Sequence, residues 1–330
     1  MGSPGSDRPQ AGVTLDAFTG RYAARTAGMT ASEIRALFAV ASRPEVVSLA
    51  GGMPYTAALP LDVVGKLLSD LLATKGAAAL QYGSGQGDAQ LRELICEVMA
   101  LEGVEASPDD VVVTVGSQQA LDLVTRIFCD PGDVVLAEAP SYVGALGTFA
   151  AYQAEVRHLA MDEHGLVPEA LREGIAAAGG RAKFLYTIPN FHNPAGTSLS
   201  DARRDEVLAI CQEAGLLVLE DNPYGLLGFD GPPVRAIRAR AGEDDVVYLG
   251  SFSKTFAPGL RVGWVLAPHA VREKLVLAAE ASVLCPPALN QMAVVEYLST
   301  QDCQGQVDVF KGIYRERRDA MLSSLEQLMP

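Results

Sequence analysis

The sequence is short of the residues that mark several common classes of protein. Its 330 residues include one tryptophan, four histidines and five cysteines. The cysteines, Cys96, Cys129, Cys211, Cys285 and Cys303, stand singly, without metal or redox spacing. A reduced, cytoplasmic setting is therefore expected. The histidines, His158, His164, His192 and His269, form no ligand pattern, which argues against a metal centre. Positive charge is scarce too: 26 Lys and Arg face 40 Asp and Glu, for a formal net charge of −14. That balance disfavours nucleic acid and anionic membrane as partners, since both select a Lys/Arg excess. No apolar run is long enough to cross a bilayer. The opening "MGSPGSDRPQAG" lacks the apolar stretch of a signal peptide and reads as a loose arm. Internal repeats are absent.

Apolar residues are plentiful, at 49% of the chain, enough for a large domain and a smaller partner. From about residue 110, short apolar runs alternate with amphipathic segments. The runs are "VVVTVG" from 111, "VVLAEAP" from 134, "AKFLYTIP" from 182, "LLVLEDN" from 216, "VVYLGSF" from 246 and "RVGWVLAP" from 261. They are rich in Val, Leu and Ile without strict alternation, as strands covered on both faces should be. Between them, "SQQALDLVTRIF" and "SDARRDEVLAICQEAG" have helical spacing, the second with Ser200 as N-cap and Gly215 as C′ stop. Strand–helix alternation predicts an α/β fold with a mostly parallel sheet. Upstream, "TASEIRALFAVAS" places Ile34, Leu37, Phe38 and Ala41 at helical spacing. At the other end, "FKGIYRERRDAMLSSLEQLMP" predicts a long charged helix.

Ligands of open α/β sheets bind beyond the carboxyl ends of the strands, and polar groups gather after each run here. Gly116-Ser117-Gln118-Gln119 opens a helix, whose free N–H groups suit a phosphate, although a serine N-cap explains the same residues. Ser141-Tyr142 offers an aromatic platform or a core filler. Asn190 and Asn193 in "NFHNPAG", and Asp221 and Tyr224 in "DNPYG", satisfy turn chemistry as well as a ligand. Ser251, Ser253 and Lys254 follow "VVYLG". Each group alone has a plain structural explanation. Together they suit pyridoxal 5′-phosphate: a lysine for its aldehyde, an aspartate for its pyridinium nitrogen, and serines and an arginine for its phosphate.

The ordered set "SQQALD … PSY … NPAG … DNPYG … SFSKTFAPGLRVGW" resembles fold-type-I aminotransferases of class I/II, and within them the 2-aminoadipate, kynurenine and multi-substrate group. The resemblance covers residues from about 30 to 330. It implies a mostly parallel seven-stranded sheet in a large domain plus a smaller α/β domain. The expected division is 1–45 for an N-terminal arm and helix, 46–303 for the cofactor-binding domain, and 304–330 for an interdomain helix leading to a truncated small domain. By position it implies Lys254 as the Schiff-base lysine, Asp221 on the ring nitrogen, Tyr142 stacked on the ring, and Tyr224 and Asn193 at the phenolate oxygen. Ser117, Gln118, Ser251, Ser253 and Arg261 are implied at the phosphate. Tyr82 in "LQYGSGQG" is implied to reach the neighbouring subunit's cofactor in a homodimer with shared active sites, and Gly52 to lie beside the substrate.

The resemblance further implies transfer of an amino group from an L-amino acid (2-aminoadipate, aromatic, branched-chain or kynurenine-like) to a 2-oxo acid such as 2-oxoglutarate. β-Elimination, decarboxylation, or a sensor domain that binds the cofactor without catalysis remain alternatives. Members of the family bind the substrate α-carboxylate with an arginine near the C-terminus, and no arginine follows Arg318 here, so a missing C-terminal segment is expected. Arg35 matches an arginine that binds a distal carboxylate in relatives accepting acidic side chains, and a solvated helix position explains it equally well.

Overall fold

The structure, a computed structural model, describes residues 18, 20–28, 40, 43, 45–47 and 52–329. Most of 1–45, including Arg35 and the Ile34/Leu37/Phe38 stripe of the expected first helix, lies outside the described residues.

All six apolar runs are strands: β1 (Val111–Val115), β2 (Val134–Glu138), β6 (Ala182–Thr187), β7 (Leu217–Asp221), β8 (Val246–Ser251) and β9 (Val262–Leu266). They join β3 (Glu155–Leu159) in a seven-stranded sheet of order β1-β9-β8-β7-β6-β2-β3. Only β9 runs against its neighbours, so the carboxyl ends of the other six strands share one edge. A two-stranded ribbon, β4 (Met161–Asp162) and β5 (Gly165–Leu166), stands apart. β3 was not among the runs read as strands. Its sequence, EVRHL, is largely polar, and of its five residues only Leu159 is buried, as befits an edge strand facing water.

The continuous apolar runs follow from burial on both faces. Val112, Val135, Ala137, Phe184, Tyr186, Leu219, Val247, Leu249 and Val265 point to one side. They meet α3 (Ser117–Phe128), α4 (Val143–Ala151) and α7 (His269–Val283). Alternate residues point to the other side. There Val111, Val113, Tyr248, Trp264 and Leu266 meet α2 (Ala89–Ala100), α8 (Ala288–Thr300) and the start of α9 (Cys303–Leu328). On that side too, Val134, Leu136, Leu185 and Val218 pack with α5 (Pro168–Ala178) and α6 (Asp201–Glu213). The period of two is present in the side-chain directions but hidden in the composition.

α6 begins after Ser200 and is stopped by Gly215 at φ +61°, as its pattern predicts, although the Ser200 hydroxyl makes no capping bond. α1 (Leu61–Ala79) packs against α8. α9 is the expected long charged helix. Val307 and Phe310 are its buried anchors. Further along, Tyr314 accepts a 2.9 Å hydrogen bond from the Tyr55 N–H, and Arg315 and Arg318 lie over the Phe229 ring at 5.9 and 4.9 Å.

Candidate active site

Asp221 closes β7 on the shared carboxyl edge, and it is 3% exposed. Its Oδ2 accepts a 2.8 Å hydrogen bond from the Tyr186 hydroxyl on β6, while its Oδ1 is buried with no partner among the described residues. Burial pushes the carboxyl up to about 6, against the opposing effect of the Tyr186 bond. A buried acceptor without a donor is costly, on the order of 1–3 kcal/mol, and points to a ligand donor.

Lys254 stands three residues beyond β8. Its Nζ lies 3.4 Å from the Gly52 carbonyl and 5.8 Å from the Tyr224 ring centroid. It has no carboxylate partner among the described residues, and burial holds its amine below the usual lysine range. An anion without a cation and a cation without an anion thus share one sheet edge.

At the end of β1 the chain enters α3 through Gly116, whose φ is +72°. Gly116 is the N-cap, so Ser117 is the first helical residue and its hydroxyl is not used as a cap; the simple N-cap explanation of Ser117 fails. The first amides of α3 therefore face outward with the positive end of the helix dipole. Backbones crowd here. A Cβ on Gly263 would lie 2.7 Å from the Ser117 nitrogen, and one on Gly116 would strike the Arg261 guanidinium. Arg261, held at φ +53°, donates to the Val115 carbonyl at 3.2 Å and pairs with no carboxylate among the described residues. Nearby in sequence, Ser251 Oγ and Ser253 Oγ are 2.8 Å apart. Amides, a guanidinium without a carboxylate partner among the described residues, and hydroxyls form a set of donors suited to a phosphate.

Tyr142 precedes α4, and its hydroxyl donates to Gln118 Oε1 at 3.3 Å. Gln118 donates in turn to Thr148 Oγ1 at 2.8 Å and to the Gly144 carbonyl at 3.1 Å. Its side chain therefore orients Tyr142. Asp221 contributes to raising the Tyr142 hydroxyl and Arg261 to lowering it, after the larger effect of burial, so the three lie within electrostatic reach.

The "Aminotransferase class I and II" family matches residues 44–329. Aromatic-amino-acid aminotransferase 1 of Thermococcus litoralis is 38% identical, over 96% of this chain and 77% of the relative. The 2-aminoadipate transaminase of Thermus thermophilus is also 38% identical, over 91% of this chain and 74% of the relative. The crystal structure of Pyrococcus horikoshii kynurenine aminotransferase in complex with PMP superposes with a TM-score of 0.89 at 35% identity, covering 96% of this chain and 79% of that one. The chain belongs to the class I and II aminotransferases.

It is a pyridoxal phosphate-dependent aminotransferase of fold type I, acting on amino acids and 2-oxo acids. The residues present fit that cofactor. The orphaned Asp221 Oδ1 suits a pyridinium N–H, and the first amides of α3 together with the Arg261 guanidinium packed on Gly116 suit a phosphate.

Other expected residues of the aminotransferase fall as follows. Asn193 Nδ2 is 3.4 Å from the Tyr224 hydroxyl, at the outer limit of a hydrogen bond. Gly52 has φ +55°, and among the described residues no atom lies within 4 Å of where a Cβ would stand. Tyr82 is 77% exposed, and its hydroxyl makes no hydrogen bond among the described residues, so it joins none of the groups above within its own chain.

Two layers of support went unread in the sequence. Tyr186 looks like one more apolar residue of "FLYTIP", and its only signal is that a buried tyrosine hydroxyl requires a partner. The second layer is a buried network around the Asp221–Tyr224 turn. Asn222 donates to Glu102 Oε1 at 2.7 Å, and Tyr248 donates to Glu102 Oε2 at 3.1 Å. Asn190 donates to Asn222 Oδ1 at 2.9 Å, and buried Arg204 donates to Asn190 Oδ1 at 2.6 Å. The Asn193 turn has its own support. His192 Nε2 lies 3.1 Å from Glu138 Oε2, and Thr187 Oγ1 donates to Glu138 Oε1 at 2.8 Å.

Burial pushes Glu102 up to about 7, with its Asn222 and Tyr248 bonds acting the other way. The folded chain then holds this proton more tightly than the unfolded chain. Stability from this group is present below the ordinary carboxylate range near 4.5 and is lost as pH rises through about 7. Glu102→Gln should therefore flatten the fall in melting temperature between those limits, measured by thermal scans across pH. An unchanged slope would remove Glu102 from the account.

Proposed function

We propose that Lys254 is the catalytic base and covalent anchor of this aminotransferase. The observation that carries the reading is the unpartnered pair of charges, Asp221 and Lys254, at one sheet edge. When bound, pyridoxal phosphate supplies an aldehyde carbon and an electron-accepting ring. Asp221 Oδ1 accepts from the ring N–H and keeps that nitrogen protonated. Arg261, Ser117, Ser251, Ser253 and the first amides of α3 hold the phosphate, while Gln118 braces Tyr142 against the ring face. Tyr224 and Asn193 bind the phenolate oxygen. Burial raises the neutral fraction of the Lys254 amine, which lets it take the proton from the substrate Cα, a step worth about 10²–10⁴-fold in rate. Gly52 lines the substrate side.

The proposed donors are 2-aminoadipate, aromatic, branched-chain or kynurenine-like L-amino acids, with 2-oxoglutarate as an acceptor. The printed activities of the relatives support that range. Arg35 is the proposed contact for a distal carboxylate. No described helix is long and apolar enough to cross a membrane, and the proposed setting is the cytoplasm. The proposed large domain comprises 46–303, with 304–330 leading towards a smaller one.

Borohydride reduction followed by peptide mapping should place the cofactor on Lys254. Lys254→Ala should lose conversion of the bound cofactor by any of these amino acids, by at least about 100-fold. Label on another lysine would sink the assignment. Cofactor retained on Lys254 without amino-group transfer would favour a sensor.

The exposure of Tyr82 supports a homodimer in which Tyr82 of the partner subunit completes each site. Sedimentation at micromolar concentration should show a dimer, and a fully active monomer would contradict it.

A further inference from the structure

Tyr186 contacts no ligand in the site as proposed, yet it is fully buried and holds half of the Asp221 carboxylate. Its ring is fixed from two directions. β6 and β7 are adjacent parallel strands with Tyr186 paired to Leu219, and Phe149 of α4 meets the ring edge-on with centroids 5.5 Å apart. The hydroxyl has one direction available, towards Asp221 Oδ2 at 2.8 Å. The other oxygen, Oδ1, is left buried and unpartnered.

We propose that Tyr186 is a positioning residue that leaves Asp221 a single accepting oxygen and keeps that carboxylate ionised for the cofactor ring. This rests on the reading of Asp221 as the ring-nitrogen partner. The physical argument is one of environment. The titratable groups facing Asp221 are Tyr186 from β6, Tyr142 before α4 and Tyr224 after β7, with Glu138 of β2 acting on Tyr186. The nearby cations are Arg261, which bears on Tyr142, and Lys254, 5.8 Å from the Tyr224 ring centroid, and neither forms an ion pair with Asp221 among the described residues. Desolvation favours the neutral acid, and the Tyr186 hydrogen bond is the group on the protein that opposes it. Removing the hydroxyl leaves both carboxylate oxygens without a protein donor, so the proton moves from the ring nitrogen towards Asp221. A less positive ring withdraws less charge from the Lys254-bound nitrogen, and that nitrogen becomes more basic.

The test compares Tyr186→Phe, which keeps the ring packed on Phe149, with Asp221→Ala and with 3-fluorotyrosine placed at position 186. The readouts are cofactor dissociation and the pH midpoint of the visible absorbance of the lysine-bound cofactor, neither of which needs turnover. Tyr186→Phe should weaken cofactor retention by about ten-fold, in line with loss of a hydrogen bond to a charged group, and raise the midpoint. The fluorinated residue, a stronger donor of the same shape, should lower the midpoint, and it decides the matter if the phenylalanine variant does not fold. In the Asp221→Ala background, Tyr186→Phe should move neither readout further. A midpoint unmoved by Tyr186→Phe or by fluorination, while Asp221→Ala shifts it, overturns the role of Tyr186 alone. If Asp221→Ala also behaves as the parent protein, the reading of the site itself falls.

Discussion

A carboxylate buried without a cation constrains the whole sheet edge. Asp221 sits at the end of a central strand, with one oxygen bonded to Tyr186 and the other without a hydrogen-bond partner among the described residues. In isolation such a group is a defect, because desolvation penalises its charge and an unused acceptor adds to the cost. It becomes useful once a ring nitrogen arrives with a proton. Lys254 shows the opposite imbalance, an amine with no anion among the described residues and a depressed affinity for its proton. In the proposed reading, the bound cofactor is what satisfies both groups.

Holding a charge in that position requires a rigid surround, which the second layer supplies. Glu102, Asn222, Tyr248, Asn190 and Arg204 form a connected set of buried hydrogen bonds that fixes the turns on either side of Asp221. Such networks are worth building only when every member is satisfied. The packing is equally close at the opposite corner, where β9 and α3 meet backbone to backbone and only glycine fits at Gly116 and Gly263. Fold and site therefore share elements: the strands that make the core also end on the residues proposed to hold the cofactor.

Much of this was legible in the residues themselves. Central strands were readable because burial on both faces produces unbroken Val/Leu/Ile runs, whereas β3 was not, because an edge strand carrying Glu155, Arg157 and His158 resembles a loop. Lys254 and Asp221 stood out because one follows β8 and the other ends β7, each within a stretch that resembles the family's motifs. Tyr186 was hidden in its own strand, since a tyrosine inside an apolar run looks like core until its hydroxyl is seen to have a destination. Glu102 was hidden by distance: it lies 120 residues before its partner Asn222, and only the fold brings them together. Gln118 was read as contacting or supporting the phosphate, and what the sequence did not disclose is that its side-chain amide bonds to Thr148 and Gly144 of α4 and its oxygen to Tyr142.

The central claim is that Asp221 exists to keep the cofactor's ring nitrogen protonated. The most direct measurement is the ¹⁵N NMR shift of pyridoxal phosphate labelled at that nitrogen and bound to the protein at neutral pH. The account predicts the shift of a protonated pyridinium in the parent protein and a move towards neutral pyridine in Asp221→Ala. A neutral-pyridine shift in the parent, unchanged by the substitution, would contradict it.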